Sequence, residues 1–300
     1  MKKLYLLLFC FLLAANVSLA QSSKSKKRKS PAAYNKQNKE NERFLEKQWW
    51  LGVKGGMNLT KVNVVTNFSI IAPTNYDASE SGKKYKNFNL VGSQFTMEAM
   101  FYFKRFTFSL QPTYQHSRFA YSNQYKWIST AENNANSVEL KYNQEQKVDH
   151  VLIPLLVKYE FGSNKLRPYL QIGIFQAIRV SATKAVTVSG IDQASGGKNE
   201  FSDETVTVGA KDLFAKNYWG FIAGAGAYYT LGNNVRLNLD VQYKYGMSNI
   251  SSTKNRYSND RLAGIGDAMD DLNMDNLAIS VGCLFPLRFL ESGFKSLDRK

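Results

Sequence analysis

From residue 235 to 247 the chain reads Val-Arg-Leu-Asn-Leu-Asp-Val-Gln-Tyr-Lys-Tyr-Gly-Met, apolar or aromatic at odd positions and polar, charged or glycine at even ones. Successive side chains of a strand point to opposite faces, so this spacing predicts a strand with one apolar and one wet face. The rhythm recurs along the chain. Residues 50–60 set Leu51, Val53, Met57 and Leu59 against Lys54, Asn58 and Thr60. Residues 91–103 set Phe95, Met97, Ala99 and Phe101 against Gln94, Thr96 and Glu98. Residues 106–119 set Phe106, Phe108, Leu110 and Tyr114 against Thr107, Ser109, Gln111 and Gln115. With 148–161, 167–178, 218–231 and 275–287 the pattern gives eight strands.

The connections alternate in length. Short polar turns at 104–105, 162–166 and 232–234 separate long polar stretches at 61–90, 120–147, 180–217 and 248–274. Short turns on one side and long loops on the other are the pattern of outer-membrane barrels, and an even strand count returns both ends to the periplasm. Aromatic residues near strand ends supply candidates for two interfacial girdles: Trp49, Trp50, Tyr102, Phe103, Tyr159, Phe161, Tyr218, Trp219, Tyr228, Tyr229, Tyr243 and Tyr245. The expected fold is all-β: an eight-stranded antiparallel up-and-down transmembrane β-barrel with a disordered basic N-terminal tail. The alternative is a soluble lipocalin-like barrel or sandwich with its apolar faces inward. Arg236, Asp240 and Lys244 on one face argue against it, as do Gly220, Gly224 and Gly226 opposite Trp219, Phe221 and Ala223. Small inward residues suit a narrow lumen shared with long polar side chains.

The front of the chain fits export. Lys2 and Lys3 precede an apolar run at 4–13, and Val17-Ser-Leu-Ala20 has the small residues of a cleavage site, so residues 1–20 read as a signal peptide. An uncleaved anchor helix is the other reading, disfavoured by the short run. Cys10 lies inside the apolar run after Phe9, without the small residue that precedes a lipidated cysteine. Removing the leader lowers the formal charge from +15 to +13 and leaves Cys283 as the one cysteine, so no internal disulfide is expected. No later stretch has the 18 consecutive apolar residues of a membrane helix. The mean hydropathy of −0.35 does not oppose a barrel, because polar lumen and loop positions dilute it.

Residues 21–48 form a basic tail, with Lys24, Lys26, Lys27, Arg28, Lys29, Lys36 and Lys39 all before the first acidic residue, Glu40. Such a block repels itself and is expected to be disordered and periplasmic, with 40–48 as a short helix. A nucleic-acid reading of Lys26–Lys29 conflicts with the leader in front of it, so no nucleic acid is expected. Its candidate partner is an anionic cell-envelope polymer or lipid head group. The barrel then spans 49–289, and 290–300 is a C-terminal periplasmic tail.

Catalytic chemistry finds little support. His116 and His150, both expected near the outer rim, have no Cys, Asp or Glu at metal-ligand spacing, and no Gly-x-Ser-x-Gly motif is present. Gly55-Gly56 and Gly224-Ala-Gly226 lack the ending of a phosphate loop. Asp267, Asp270, Asp271 and Asp275 cluster without EF-hand spacing, which favours a solvated acidic loop over a weak Ca2+ site. No cofactor and no metal are expected. The informative set is Lys54, Glu98, Lys158, Glu160, Arg236, Asp240 and Lys244, all facing the lumen by alternation. Charges of both signs in so narrow a barrel form either a plug of ion pairs or a charged pore.

Three segments carry a family resemblance. Leu51-Gly-Val-Lys-Gly-Gly-Met-Asn-Leu, Val151-Leu-Ile-Pro-Leu-Leu-Val-Lys-Tyr-Glu-Phe-Gly and Arg167-Pro-Tyr-Leu-Gln-Ile-Gly resemble strands of the PorT-like outer membrane β-barrel family of Bacteroidota. The resemblance runs from Trp49 to about Phe289, and its central Ile-Pro-Leu-Leu segment is the most specific part. It implies an eight-stranded barrel in the outer membrane. Most such proteins are known only as barrels, while the namesake takes part in type IX secretion and gliding-associated export. The Lys-rich tail and the long third loop lie outside that pattern. The expected function is therefore a non-enzymatic structural, assembly or secretion-associated barrel among outer-membrane lipids and periplasmic or secretion-system proteins. A narrow small-solute channel and a membrane-embedded hydrolase are the alternatives.

Overall fold

The computed structural model describes residues 47–68, 82–127, 138–162, 165–193, 199–231, 235–256 and 268–287. Its strands are β1 (Lys47–Thr66), β2 (Lys84–Lys86), β3 (Val91–Phe103), β4 (Phe106–Leu110), β5 (Thr113–Trp127), β6 (Val138–Glu160), β7 (Leu166–Asp192), β8 (Asn199–Gly209), β9 (Asn217–Thr230), β10 (Arg236–Gly246) and β11 (Asp271–Pro286). All pairings are antiparallel between sequence neighbours around a ring, with β4 and β5 sharing one stave. The ring closes where β1 pairs with β11, from Trp50↔Pro286 to Thr66↔Asp271. Among the described residues this makes eight staves and no open edge at the level of the barrel, the arrangement that satisfies every backbone group in lipid.

Alternation sets the two faces. β10 alternates strictly, with Arg236, Asn238, Asp240, Gln242 and Lys244 buried and Leu237, Leu239, Val241, Tyr243 and Tyr245 exposed. Large apolar side chains stay exposed all round the ring, Met97 at 58%, Leu155 at 55%, Ile172 at 67% and Val281 at 59%. A water-soluble barrel would bury these positions, so the exposed band faces lipid. No helix among the described residues is long and apolar enough to cross a membrane.

The sharp bends follow from residue chemistry. Lys104 and Arg105 both take positive φ, 47° and 75°, in the two-residue turn that joins Phe103 to Phe106. Two positive angles match the twist of a tight hairpin. The third stave breaks at Gln111-Pro112, opposite Ile153-Pro154 of β6. Neither proline has an N–H, and the ladder tolerates them because the interruption falls there. The Gln111 amide donates to the Pro154 carbonyl at 3.1 Å and the Met97 amide to that of Pro112 at 2.9 Å, which holds the broken stave in the ring.

Two long connections are not loops. β5 continues through 120–127 against 138–147 of β6, and β7 runs to Asp192 before β8 returns along it. Strands of 23 and 27 residues far exceed the 9–11 needed to cross a bilayer. The excess stands beyond the lipid band as a blade of order β5-β6-β7-β8, with β2 on the β5 side. The blade thus continues the side of the ring that carries the long connections, opposite the short turns.

The girdle expectation needs correction at four aromatics. Trp50, Tyr218 and Tyr228 are buried, and Tyr102 packs against an inner cluster of Trp50, Met100, Tyr169, Tyr228 and Leu284. Trp49 and Trp50 are neighbours on one strand and must face opposite ways. Trp49, Phe161, Trp219, Tyr229, Tyr243 and Tyr245 remain on the outer surface.

Candidate functional site

The interior is filled in two tiers of different chemistry. The tier toward the short turns is polar and ionic. Glu98 of β3 lies between Lys158 of β6, at 2.6 Å, and Lys54 of β1, at 3.2 Å. Ser109 Oγ and Gln111 Nε2 donate to the same carboxylate at 2.7 and 2.9 Å. Lys54 Nζ also reaches Asp240 Oδ2 of β10 at 2.8 Å and Gln111 Oε1 at 3.1 Å. Gln171 and Gln242 donate to Asp240. Lys158 Nζ donates to the Tyr228 hydroxyl at 2.9 Å and sits 4.9 Å from the centre of the Tyr169 ring, itself stacked on Tyr228 at 4.4 Å. Nearer the short turns, Glu160 pairs with Arg236 at 3.3 Å and Arg167 at 3.6 Å, and the Arg236 guanidinium lies 4.1 Å from the centre of the Trp50 ring.

Strands place these groups at converging positions, and glycine makes the room. A Cβ on Gly226 would lie 2.4 Å from the Tyr169 ring, and one on Gly220 would lie 2.8 Å from the Phe175 ring. The tyrosine stack beside Lys158 therefore depends on a bare backbone across from it.

Lys244 differs from the other lumen cations. Its Nζ donates to Gln94 Oε1 at 2.8 Å and Gln115 Oε1 at 2.6 Å, and it has no carboxylate partner among the described residues. The amides are held in turn, Gln94 by donating to Ser280 Oγ at 2.6 Å and Gln115 by donating to Ser117 Oγ at 2.8 Å. The seven sequence-selected charges are all nearly inaccessible: four cations, Lys54, Lys158, Arg236 and Lys244, and three carboxylates, Glu98, Glu160 and Asp240. Six of them join two ion-pair groups, and Lys244 joins neither.

The tier toward the blade is apolar. Val62, Phe119, Val148, Leu152, Phe175, Tyr218, Ile222, Leu272 and Met274 line it, and Leu213, Phe214, Ile250 and Met269 enter it from the connections between strands. These connections brace one another. Phe214 bridges Ser251, the Ala215 amide donates to the Ile250 carbonyl at 2.7 Å, and the Ser252 amide donates to the Leu213 carbonyl at 2.7 Å. Alternation cannot reveal such residues, because they lie outside the strands, Leu213 in a short 3-10 helix (Lys211–Leu213). Lys184 is a second residue that sequence reading missed; it is buried in the blade with its Nζ 3.0 Å from the Tyr121 hydroxyl.

The described aspartates of the last long connection are held by neighbouring side chains and amides. Asp270 accepts from Lys83, the Phe68 amide and Tyr85, each at 2.8 Å, and so ties that connection to the one after β1. Asp271 pairs with Arg256, and Asp275 accepts from Asn63 at 2.8 Å and Tyr243 at 3.0 Å. Asp267 and the basic residues Lys24, Lys26, Lys27, Arg28 and Lys29 lie outside the described residues. Among the described residues no group of His, Cys, Asp and Glu could hold a metal.

The two histidines lie in different surroundings. His150 points inward, edge-on to Tyr218 with ring centres 5.0 Å apart, and its Nδ1 has no partner. His116 points outward, and its Nδ1 lies 2.6 Å from Asp149 Oδ1. Register sets Ser93 beside His116 on the other side, a juxtaposition across three staves that sequence spacing hides. Ser93 makes no hydrogen bond to His116, and the backbone N–H groups there are engaged in the ladders.

A family model described as an outer membrane protein beta-barrel domain matches residues 20–252, which takes in β1 to β10. No curated protein sequence matches the chain. Among solved structures the chain is similar to the outer membrane protein OprG from Pseudomonas aeruginosa, at 16% identity over 81% of this chain and 97% of that one, with a TM-score of 0.35. It is also similar to Neisserial surface protein A, at 13% identity over 79% and 95%, with a TM-score of 0.34. The outer membrane protease OmpT from Escherichia coli is similar at 10% identity over 80% and 97%, with a TM-score of 0.32. These superpositions are loose, and the assignment rests on the family match and on the closed strand ring with its lipid-facing band. The chain belongs to the outer membrane protein beta-barrel domain family and resides in the outer membrane.

Proposed function

We propose that this protein is a closed, non-enzymatic scaffold of the outer membrane, acting through what its extracellular blade and periplasmic tails bind. The observation that supports this is the double filling of the lumen. An ion-paired tier spans the barrel from Lys54 to Asp240 and from Glu98 to Lys158, and above it Leu213, Phe214, Ile250 and Met269 occlude the mouth. A solute would have to displace both. The likeness of the 151–162 segment to the PorT-like family extends the reading to assembly or secretion, with type IX secretion as the specialisation. In that setting the basic tail would meet an anionic cell-envelope polymer or a periplasmic protein. The test is single-channel conductance of the purified protein in a planar bilayer. A folded, silent barrel is the expected result, and stable ion-selective steps would overturn it.

One observation favours a second reading as a narrow channel. The polar tier carries an excess of cationic groups, and Lys244 lacks an acidic partner. Were the mouth to open, the path would favour anions. Asp240→Ala and Lys244→Ala should then shift selectivity in opposite directions.

A further inference from the structure

The blade ends on β8, which pairs with β7 and, among the described residues, with no other strand. Unlike the barrel staves, it presents a free row of backbone N–H and C=O groups along Asn199–Gly209. Edge strands are usually kept short or charged throughout, because they template pairing with another chain. This one is divided. Its first half carries exposed Glu200 and Asp203, the latter at a φ of 51°, where the pairing with β7 also shifts between Val188 and Gly190. Its second half reads Thr205-Val-Thr-Val208, uncharged and β-branched. Threonines 205 and 207 lie on one face of the blade, where Thr205 meets Thr187 at 2.8 Å, and Val206 lies on the other, 53% exposed opposite Val186.

Charge narrows what can bind there. Residues 185–210 hold Asp192, Glu200, Asp203 and Glu204 against the single Lys198, an acidic island in a chain whose formal charge is +15. We infer that the β8 edge is an acceptor for an added strand: an extended, cationic polypeptide segment from an extracellular partner. Its main chain extends the blade beyond β8. Its apolar residues lie beside Val206 and Val208, and its lysine or arginine side chains face Glu200 and Asp203. Main-chain pairing supplies affinity in this mode, and alternate side chains supply selectivity. The inference is independent of whether the lumen conducts.

The test uses the whole barrel folded in phospholipid vesicles and a short synthetic peptide alternating valine with lysine. Hydrogen exchange of the free protein should show fast exchange at alternate amides of Glu204–Gly209, and addition of the peptide should slow them. A peptide alternating valine with glutamate should not bind. The valine–lysine peptide with alternate amides N-methylated should lose binding, since its charge is intact and only its hydrogen bonds are gone. Glu200→Lys should weaken the original peptide about fivefold, the scale of one exposed charge pair. Equal binding of the N-methylated peptide, no binding of the unmodified one, or protection of the β8 amides in the free protein would each overturn the inference. So would pairing of β8 with a second copy, seen as concentration-dependent protection without peptide.

Discussion

Glu98 is the residue on which the ionic tier turns, and Glu98→Gln removes its charge with almost no change of shape. Lys54 keeps Asp240 at 2.8 Å after the change. Lys158 loses its carboxylate at 2.6 Å and retains the Tyr228 hydroxyl and the faces of Tyr169 and Tyr228. Those contacts exist already, so they cannot offset the loss. Breaking a fully buried ion pair by removing one partner costs about 3–5 kcal/mol, because the other charge stays in a poorly solvated site. The loss of donors' partners at Ser109 and Gln111 is smaller, since a glutamine oxygen can still accept. The expected cost is therefore about 3 kcal/mol or more, read as urea unfolding of the barrel in phospholipid vesicles. Adding Lys158→Met should recover part of it, since an apolar side chain then replaces the stranded ammonium. Two contacting residues should show a coupling of about 1–3 kcal/mol. A cost for Glu98→Gln below about 1 kcal/mol, or strict additivity with Lys158→Met, would refute the placement of this pair in a dry interior.

Two further perturbations follow from the same architecture. Leu239→Arg, on the lipid face between the aromatic levels of Tyr229 and Tyr245, should destabilise the folded barrel by roughly 2–4 kcal/mol, whereas Asn238→Arg should act through the Tyr169 hydroxyl that Asn238 accepts and the charges nearby; equal harmlessness of the two in vesicle unfolding would invert the inside and outside faces. Phe214→Ala should cost about 3–5 kcal/mol if the mouth unfolds with the barrel, and should raise proteolysis of the connections at 210–216 and 247–256 without opening the ionic tier to current. Conductance appearing in that variant alone would mean that the apolar tier is the sole barrier.

The ring was legible in the sequence because lipid and a narrow lumen demand opposite chemistry at alternate positions. β10 shows this at every residue, and the strand read at about 91–103 is β3. The blade was not legible. Its outer face carries Ser122, Gln124, Thr183 and Thr187, and its inner face mixes Tyr121 with Asn123, Gln144 and Lys184. Phe119, Tyr121 and Tyr125 keep an alternate apolar spacing on β5, but the polar residues beside and opposite them blur it, so the stretch reads as loop. The apolar tier escaped for a different reason: Phe214 and Met269 are single residues outside the strands, placed by tertiary contacts. Which charges pair across the lumen also required the register, since Lys54 and Asp240 are 186 residues apart.

The seam between β1 and β11 has a consequence for biogenesis. The first and last staves are partners, and Lys54 of β1 reaches past β11 to Asp240 of β10. This bond bridges the ends of the polypeptide and so cannot exist while the sheet is open. Until then the nascent sheet carries two unpaired margins, and Asp240 lacks its lysine while Lys54 keeps only Glu98 of the neighbouring strand, a state that hydrocarbon does not tolerate. Contacts of such high sequence separation form late and slowly. Entry into the bilayer and closure must therefore coincide, and a chain truncated before Asp271 would have a sheet with no means of becoming a membrane protein.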